Sequence, residues 1–159
     1  DAAIHYGSPV WPGAVTHHLM DEDTVPVCSP GFERAQRIRK PADLGRVVLL
    51  HQSTRTDAWA EWFAAMEIEH SHPLRGPRFE QFGLIAQAAI SGIGVALLPK
   101  ILIEEELSSG KLSLLFEQSI RSASSYYIWV PETMVASPLT TSFTRWVIRE
   151  AKVGASDYS

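Results

Sequence analysis

The most apolar stretch of the chain, Leu84 to Ile103, is broken by Gln87, Ser91, Gly92, Gly94, Pro99 and Lys100. A membrane helix needs about 20 consecutive, mostly apolar residues, so these breakers divide the stretch into short elements. The spacing predicts a helix from about Phe82 to Ser91 with Gly92 as a left-handed stop. A buried strand over Gly94–Leu98 and a helix over Pro99–Leu107 follow. Helix, strand and helix within some twenty-odd residues is the alternation from which α/β folds are built.

The rest of the chain repeats this rhythm. Val47–Leu50 reads as a buried strand. Asp57 is a candidate N-cap for a helix whose Trp59, Trp62, Phe63 and Met66 fall at i, i+3, i+4 and i+7. Short strands are expected around Arg78–Glu80, Leu112–Phe116 and Ser125–Val130. A last helix, Leu139–Ala151, carries Phe143, Trp146, Val147 and Glu150 on a helical repeat. Before position 47, Asp1–Tyr6, Val15–Leu19 and Thr24–Cys28 read as extended, and Pro41–Leu44 as a short helical turn. Strands alternating with helices predict an α/β fold with a parallel sheet covered by helices.

With 159 residues, 45% of them hydrophobic, the chain can bury a core without disulfides or metals. Its 14 Lys+Arg against 18 Asp+Glu give a net charge of −4, which argues against binding nucleic acid through charge alone. The single cysteine, Cys28, sits in an apolar run and reads as buried and inert. A lone cysteine and an opening Asp1-Ala2-Ala3-Ile4 without a basic leader fit a cytoplasmic protein.

Catalytic and metal motifs are weak. Ser91-Gly92-Ile93-Gly94 resembles part of a dinucleotide fingerprint, but it follows a helix and opens a strand, the reverse of a phosphate cradle. His17-His18 point to opposite faces of a strand, and His70-Ser71-His72 has no further ligand at metal spacing. Glu104-Glu105-Glu106 reads as a solvated helix face. No nucleophile elbow and no carboxylate pair stands out, so the reading is not an enzyme and calls for no cofactor.

A binding reading fits better. Ligands of α/β sheets sit beyond the carboxyl ends of strands, beside helix N-termini. Three segments have such places: His51-Gln52-Ser53-Thr54-Arg55, Glu80-Gln81-Phe82-Gly83 and Tyr126-Tyr127. The hydroxyls and guanidinium of the first suit a carboxylate or a phosphate. Alternation along a strand sends one of the two tyrosines inward and the other outward.

These segments belong to a longer resemblance. Asp1–Gly7, Trp11-Pro12-Gly13, Val25–Pro30, Pro41–Leu44, Leu49-Leu50-His51 with Trp59 and Trp62, Gln87–Pro99, Tyr126-Tyr127 with Pro131-Glu132, and Phe143 with Trp146 together resemble the regulatory domain of LysR-type transcriptional regulators. The branch of the glycine-cleavage activator and the β-lactamase regulator is the most similar.

The resemblance implies a type-2 periplasmic-binding-protein-like fold, with one complete Rossmann-like subdomain plus part of a second. Residues 1–16 and 131–159 would be a remnant of the first regulatory subdomain, 17–28 and 126–130 the crossovers, and 29–125 the second subdomain. An inter-subdomain cleft would hold a small-molecule effector, a carboxylate or an amino acid, against Ile4, His5, Tyr6, Ser53, Arg55, Gln81, Phe82 and Tyr126. Gln81-Phe82 stand where the β-lactamase regulators carry small hydroxyl residues, a departure that argues against a muropeptide-like effector.

On this reading the chain is an N-terminally truncated fragment. DNA would be bound only by a winged helix-turn-helix outside it, and no membrane is involved. A shortened first subdomain would leave Phe143, Trp146 and Val147 exposed on the last helix and favour a homo-oligomer. A solute-binding protein of a transporter is the alternative that the same fold would serve.

Overall fold

The computed structural model describes residues 2–156. The chain divides into two compact units, one of residues 1–22 and 121–159, the other of residues 23–120. Its strands are β1 (Ala3–Gly7), β2 (Ala14–Cys28), β3 (Leu49–Gln52), β4 (Arg78–Phe79), β5 (Val95–Pro99), β6 (Ser113–Leu114) and β7 (Ile120–Pro131). Its helices are α1 (Pro30–Gln36), α2 (Ala58–Ala65), α3 (Phe82–Ile90), α4 (Glu104–Ser108) and α5 (Pro138–Ser156). The two extended segments expected before position 30 are one continuous strand, β2.

In the larger unit, β5 pairs in parallel with β3, Leu49 opposite Val95 and Leu50 opposite Ala96. β3 pairs in parallel with β4, His51 opposite Arg78. β2 closes the other side of β5 antiparallel, Thr24 opposite Pro99 and Val27 opposite Ala96. The sheet is therefore mixed, correcting the all-parallel expectation. The parallel pairs come where a helix carries the chain back, and β2 enters the sheet without such a crossover.

The period of two along these strands builds two cores. Leu50, Ala96, Leu98, Val25 and Val27 face α3, where Ile85, Ala86, Ala88 and Ala89 are buried against them. Leu49, Val95, Leu97 and Cys28 face the opposite way, onto Leu44, Trp59, Trp62 and Phe63. Residues adjacent in sequence thus serve opposite layers, and the strands read as unbroken apolar runs because both faces are covered. Burial pushes the Cys28 thiol up to about 12, so it stays protonated and unreactive.

The glycine pair after α3 is structural. Gly92 takes φ +74 as the helix stop, and a Cβ on Gly94 would stand 2.5 Å from the Val48 carbonyl oxygen. Val95 N–H donates to that same carbonyl at 2.9 Å, so the turn delivers β5 directly onto β3.

Local expectations shift in five places. Val47–Leu50 gives way to Leu49–Gln52, because Val47 still closes the preceding 3-10 turn. Asp57 makes no side-chain cap: it sits in the helical region, where the Ala58 N–H closes a turn on the Arg55 carbonyl, and not in the extended conformation from which a capping side chain folds back. The helix expected over Pro99–Leu107 is a 3-10 turn at Lys100–Leu102 followed by α4. The strand expected over Leu112–Phe116 shrinks to Ser113–Leu114, which pairs with Val27 and Cys28. Val147 is buried, not exposed.

In the smaller unit β1 pairs antiparallel with β7, from Ala3 opposite Trp129 to Gly7 opposite Ser125, and β7 neighbours β2. Leu19, Ile128 and Val147 form the core, with Tyr126, Ile148 and Ala151 packed around it. The inner stripe of α5 is therefore Thr140, Thr144, Val147, Ile148 and Ala151, at helical spacing. Phe143 and Trp146 flank it, and they and Leu139 are exposed.

Candidate functional site

The eight candidate residues fall into two sets, one on each unit. On the larger unit, the loop after β3 is tied to the end of β4 where Ser53 N–H donates to the Phe79 carbonyl at 2.8 Å. Arg55 follows in a turn on Gln52, and its guanidinium lies over the Phe82 ring, 4.8 Å from the centroid. Stacking on the aromatic face fixes the cation beside the start of the next helix.

Phe82 also begins α3. Gln81 before it is extended, its side chain makes no capping bond, and the first turn holds no acidic residue. The Gln81 carbonyl takes the N–H groups of both Leu84 and Ile85, while the first-turn donors of a helix lack intrahelical acceptors. A Cβ on Gly83 would meet nothing within 4 Å, so the helix start is sterically open. A guanidinium beside the positive end of a helix is an arrangement suited to a carboxylate or a phosphate.

On the smaller unit, Tyr6 and Tyr126 are cross-strand partners with ring centroids 5.1 Å apart, and Ile4 lies two residues along the same face. His5 points to the other face, where its ring lies 4.5 Å from that of Trp129, which in turn stacks on Trp11 at 4.0 Å. The structure thus brings Ile4, Tyr6 and Tyr126 together and separates His5 from them.

Tyr126 donates its phenol to Glu22 Oε2 at 2.9 Å, and Glu22 is almost wholly buried. Sequence reasoning missed Glu22, which lies in the run Asp21-Glu22-Asp23 and reads there as solvated charge. Its neighbour Asp21 accepts from His18 Nε2 at 2.8 Å and Ser125 Oγ at 2.9 Å, with Arg121 Nη1 at 3.4 Å. The His18 and Ser125 hydrogen bonds, aided by the charges of His18 and Arg121, hold the Asp21 carboxyl below its ordinary range.

The histidine motifs have other partners. His70 Nδ1 accepts from His72 N–H, and its ring packs 4.4 Å from Phe63. Among the described residues no group of three His, Cys, Asp or Glu side chains is placed to hold a metal ion.

His51, beside the larger unit's set, is buried, and burial pushes its pKa down, opposed by a hydrogen bond that its ring donates to the Arg75 backbone carbonyl and aided by the Arg78 charge. His70 is lowered too, by burial and the His72 charge. A histidine lowered in the folded state is protonated more readily on unfolding. Stability is therefore full above the unfolded value of about 6.5 and is lost as pH falls below it toward the folded value. Thermal melts from about pH 8 to about pH 5 are expected to show a falling midpoint below that value, with a shallower fall in His51→Gln. A flat profile would contradict the burial assigned to His51.

A family model described as the LysR substrate binding domain matches residues 1–152. The chain belongs to that family. This LysR substrate-binding domain is 35% identical over 147 residues to the transcriptional activator AmpR of Rhodobacter capsulatus, covering 92% of this chain and 49% of that protein. It is 30% identical over 152 residues to the glycine cleavage system transcriptional activator of Escherichia coli K12, covering 95% and 50%. The chain thus spans about half the length of the curated relatives it matches.

Among solved structures, it superposes on the effector domain of AmpR from Pseudomonas aeruginosa with a TM-score of 0.86 at 27% identity, covering 99% of this chain and 75% of that one. The CrgA regulatory domain of Neisseria meningitidis matches with a TM-score of 0.74 at 15% identity, a likeness of fold alone. The relatives are transcriptional regulators, and no helix among the described residues is long and apolar enough to cross a membrane.

Proposed function

We propose that this LysR substrate-binding domain senses a small-molecule effector for a transcriptional regulator and performs no chemistry of its own. DNA would be contacted by a winged helix-turn-helix elsewhere in the parent protein, in the cytoplasm. Residues 29–125 would act as the second regulatory subdomain, and residues 1–16 with 131–159 as part of the first. Ile4, Tyr6 and Tyr126 on one unit and Ser53, Arg55, Gln81 and Phe82 on the other would contribute to effector binding, while His5, on the opposite face of β1 against Trp129, would not. Effector would act by population shift, favouring the arrangement it binds better. The exposed Leu139, Phe143 and Trp146 support a homo-oligomer.

The observation that carries the chemistry is the Arg55 guanidinium on Phe82 beside the uncapped start of α3. It favours an anionic effector, a carboxylate or an amino acid, over a neutral one. A thermal-shift screen of amino acids, short carboxylates and aromatic acids at about 1–10 mM is the direct test. At least one acid is expected to raise the melting temperature, and Arg55→Gln to weaken its binding about tenfold or more, the size of a lost charge-assisted hydrogen bond. No shift from any acid, or equal binding by the variant, would overturn the reading.

A further inference from the structure

The smaller unit contains a cavity of about 350 Å³ between α5 and the strands, lined by His17, Val130, Val135, Thr140, Thr144, Arg145 and their neighbours. That volume is at the lower end of small-molecule sites. The described residues that line it all belong to this one unit, and none of them is among the eight effector candidates.

Its chemistry is uneven in a telling way. Val130 and Ile148 supply apolar wall, and Thr140 and Thr144 are each more than nine-tenths buried on the inner stripe of α5. Thr144 Oγ1 is buried and finds no hydrogen-bond partner among the described residues. In a helix, a threonine hydroxyl ordinarily bonds the carbonyl one turn back, as Thr141 does with Ser137 at 2.9 Å. A buried hydroxyl without a partner costs free energy that packing alone does not return. One turn position away, Arg145 lines the same cavity from an exposed place on α5, and His17 is exposed on β2. Among the described residues no acidic side chain lines the cavity.

We infer that this cavity is a second small-molecule site, for a short carboxylic acid with an apolar body. The alkyl or ring portion would lie on Val130 and Ile148. The carboxylate would accept from Thr144 Oγ1 and pair with Arg145, giving the orphaned hydroxyl its acceptor.

Hexanoate is the probe, with hexylamine as its charge-reversed counterpart. Isothermal titration of the chain is expected to show hexanoate binding at least about tenfold tighter than hexylamine. Thr144→Val keeps the shape and removes the hydroxyl. It is expected to leave the melting temperature unchanged or higher, because the hydroxyl has no partner among the described residues, while weakening hexanoate about fivefold to tenfold. Thr144→Ser should retain the affinity, and Arg145→Gln should lose about tenfold. The event should survive Arg55→Gln, which separates this site from the proposed effector site.

Several results would overturn the inference. They are no hexanoate binding up to about 10 mM, equal binding of the amine, loss through Arg55→Gln but not Arg145→Gln, or a lowered melting temperature in Thr144→Val. Self-association of the chain with exclusion of hexanoate would show the cavity to be an interface between copies and overturn it too.

Discussion

Replacing Trp59 by alanine is expected to unfold the larger unit, at a cost of about 3–5 kcal/mol. Trp59 is almost wholly buried, lies edge-on to Trp62 at 5.7 Å and close to Phe63 at 5.8 Å, and donates its indole N–H to the Leu50 carbonyl at 3.0 Å. The indole therefore joins α2 to β3 twice, by packing and by a hydrogen bond reaching across the layer. Truncation opens a cavity in a cluster that also holds Leu44, Leu49, Val95 and Leu97. A loss of that size is a large share of what a domain of this length has in reserve. Denaturant unfolding followed by the remaining tryptophans would read it. Trp59→Phe separates the terms, since it keeps most of the ring and loses the N–H, and is expected to cost about 1–2 kcal/mol. Equal losses in the two variants would mean that the hydrogen bond, not the packing, holds α2 in place.

The aromatic face of α2 is also where the sequence was most legible. Trp59, Trp62 and Phe63 at helical spacing can only be buried together on one side, and they are. The apolar run at 94–98 announced a strand covered on both faces, Leu49 and Leu50 announced the start of another, and Gly92 announced the end of α3. What periodicity does not carry is pairing direction. The Val25–Cys28 end of β2, the run of β5 and the Leu49-Leu50 start of β3 are apolar alike, yet β5 pairs antiparallel with β2 and parallel with β3, a matter of the route between them. Nor does it carry the inner stripe of α5. Thr140 and Thr144 read as polar surface, so the larger Phe143 and Trp146 drew the helix face toward themselves.

The candidate site was legible in part for the same reason. Arg55 and Phe82 are 27 residues apart and meet only because parallel β3 and β4 end side by side. Their positions at strand ends were visible, but their contact was not. His5 and Tyr6 are neighbours in sequence, and the period of two that was used to divide Tyr126 from Tyr127 divides them as well. Glu22 left no signal, because an acid within an acidic run looks solvated until its phenol partner on another strand is known.

Gly76 is the other residue on which a single methyl group is expected to act strongly. It lies in the polar segment before β4, and nothing in the sequence distinguishes it from an ordinary loop glycine. A Cβ there would stand 1.9 Å from the Leu49 carbonyl oxygen and 3.0 Å from His51 Cδ2, and an oxygen of the backbone cannot rotate away as a side chain can. Gly76→Ala must push the segment off β3, at a cost of about 3 kcal/mol or more. The displaced residues include the next one, Pro77, whose carbonyl accepts from His51 N–H at 2.9 Å. With that bond lost, β4 loses its register with β3, and Phe79 no longer holds the Ser53 N–H. Phe82, three residues beyond Phe79, would then leave its place beneath Arg55. The variant is therefore expected to combine two losses that a surface glycine could not produce: faster hydrogen exchange at His51 and Ser53, and weakened binding of whichever acid stabilises the parent chain. Arg55→Gln should lose the binding without the exchange. A Gly76→Ala protein that exchanges and binds like the parent would show that the approach of this loop to β3 does not organise the site.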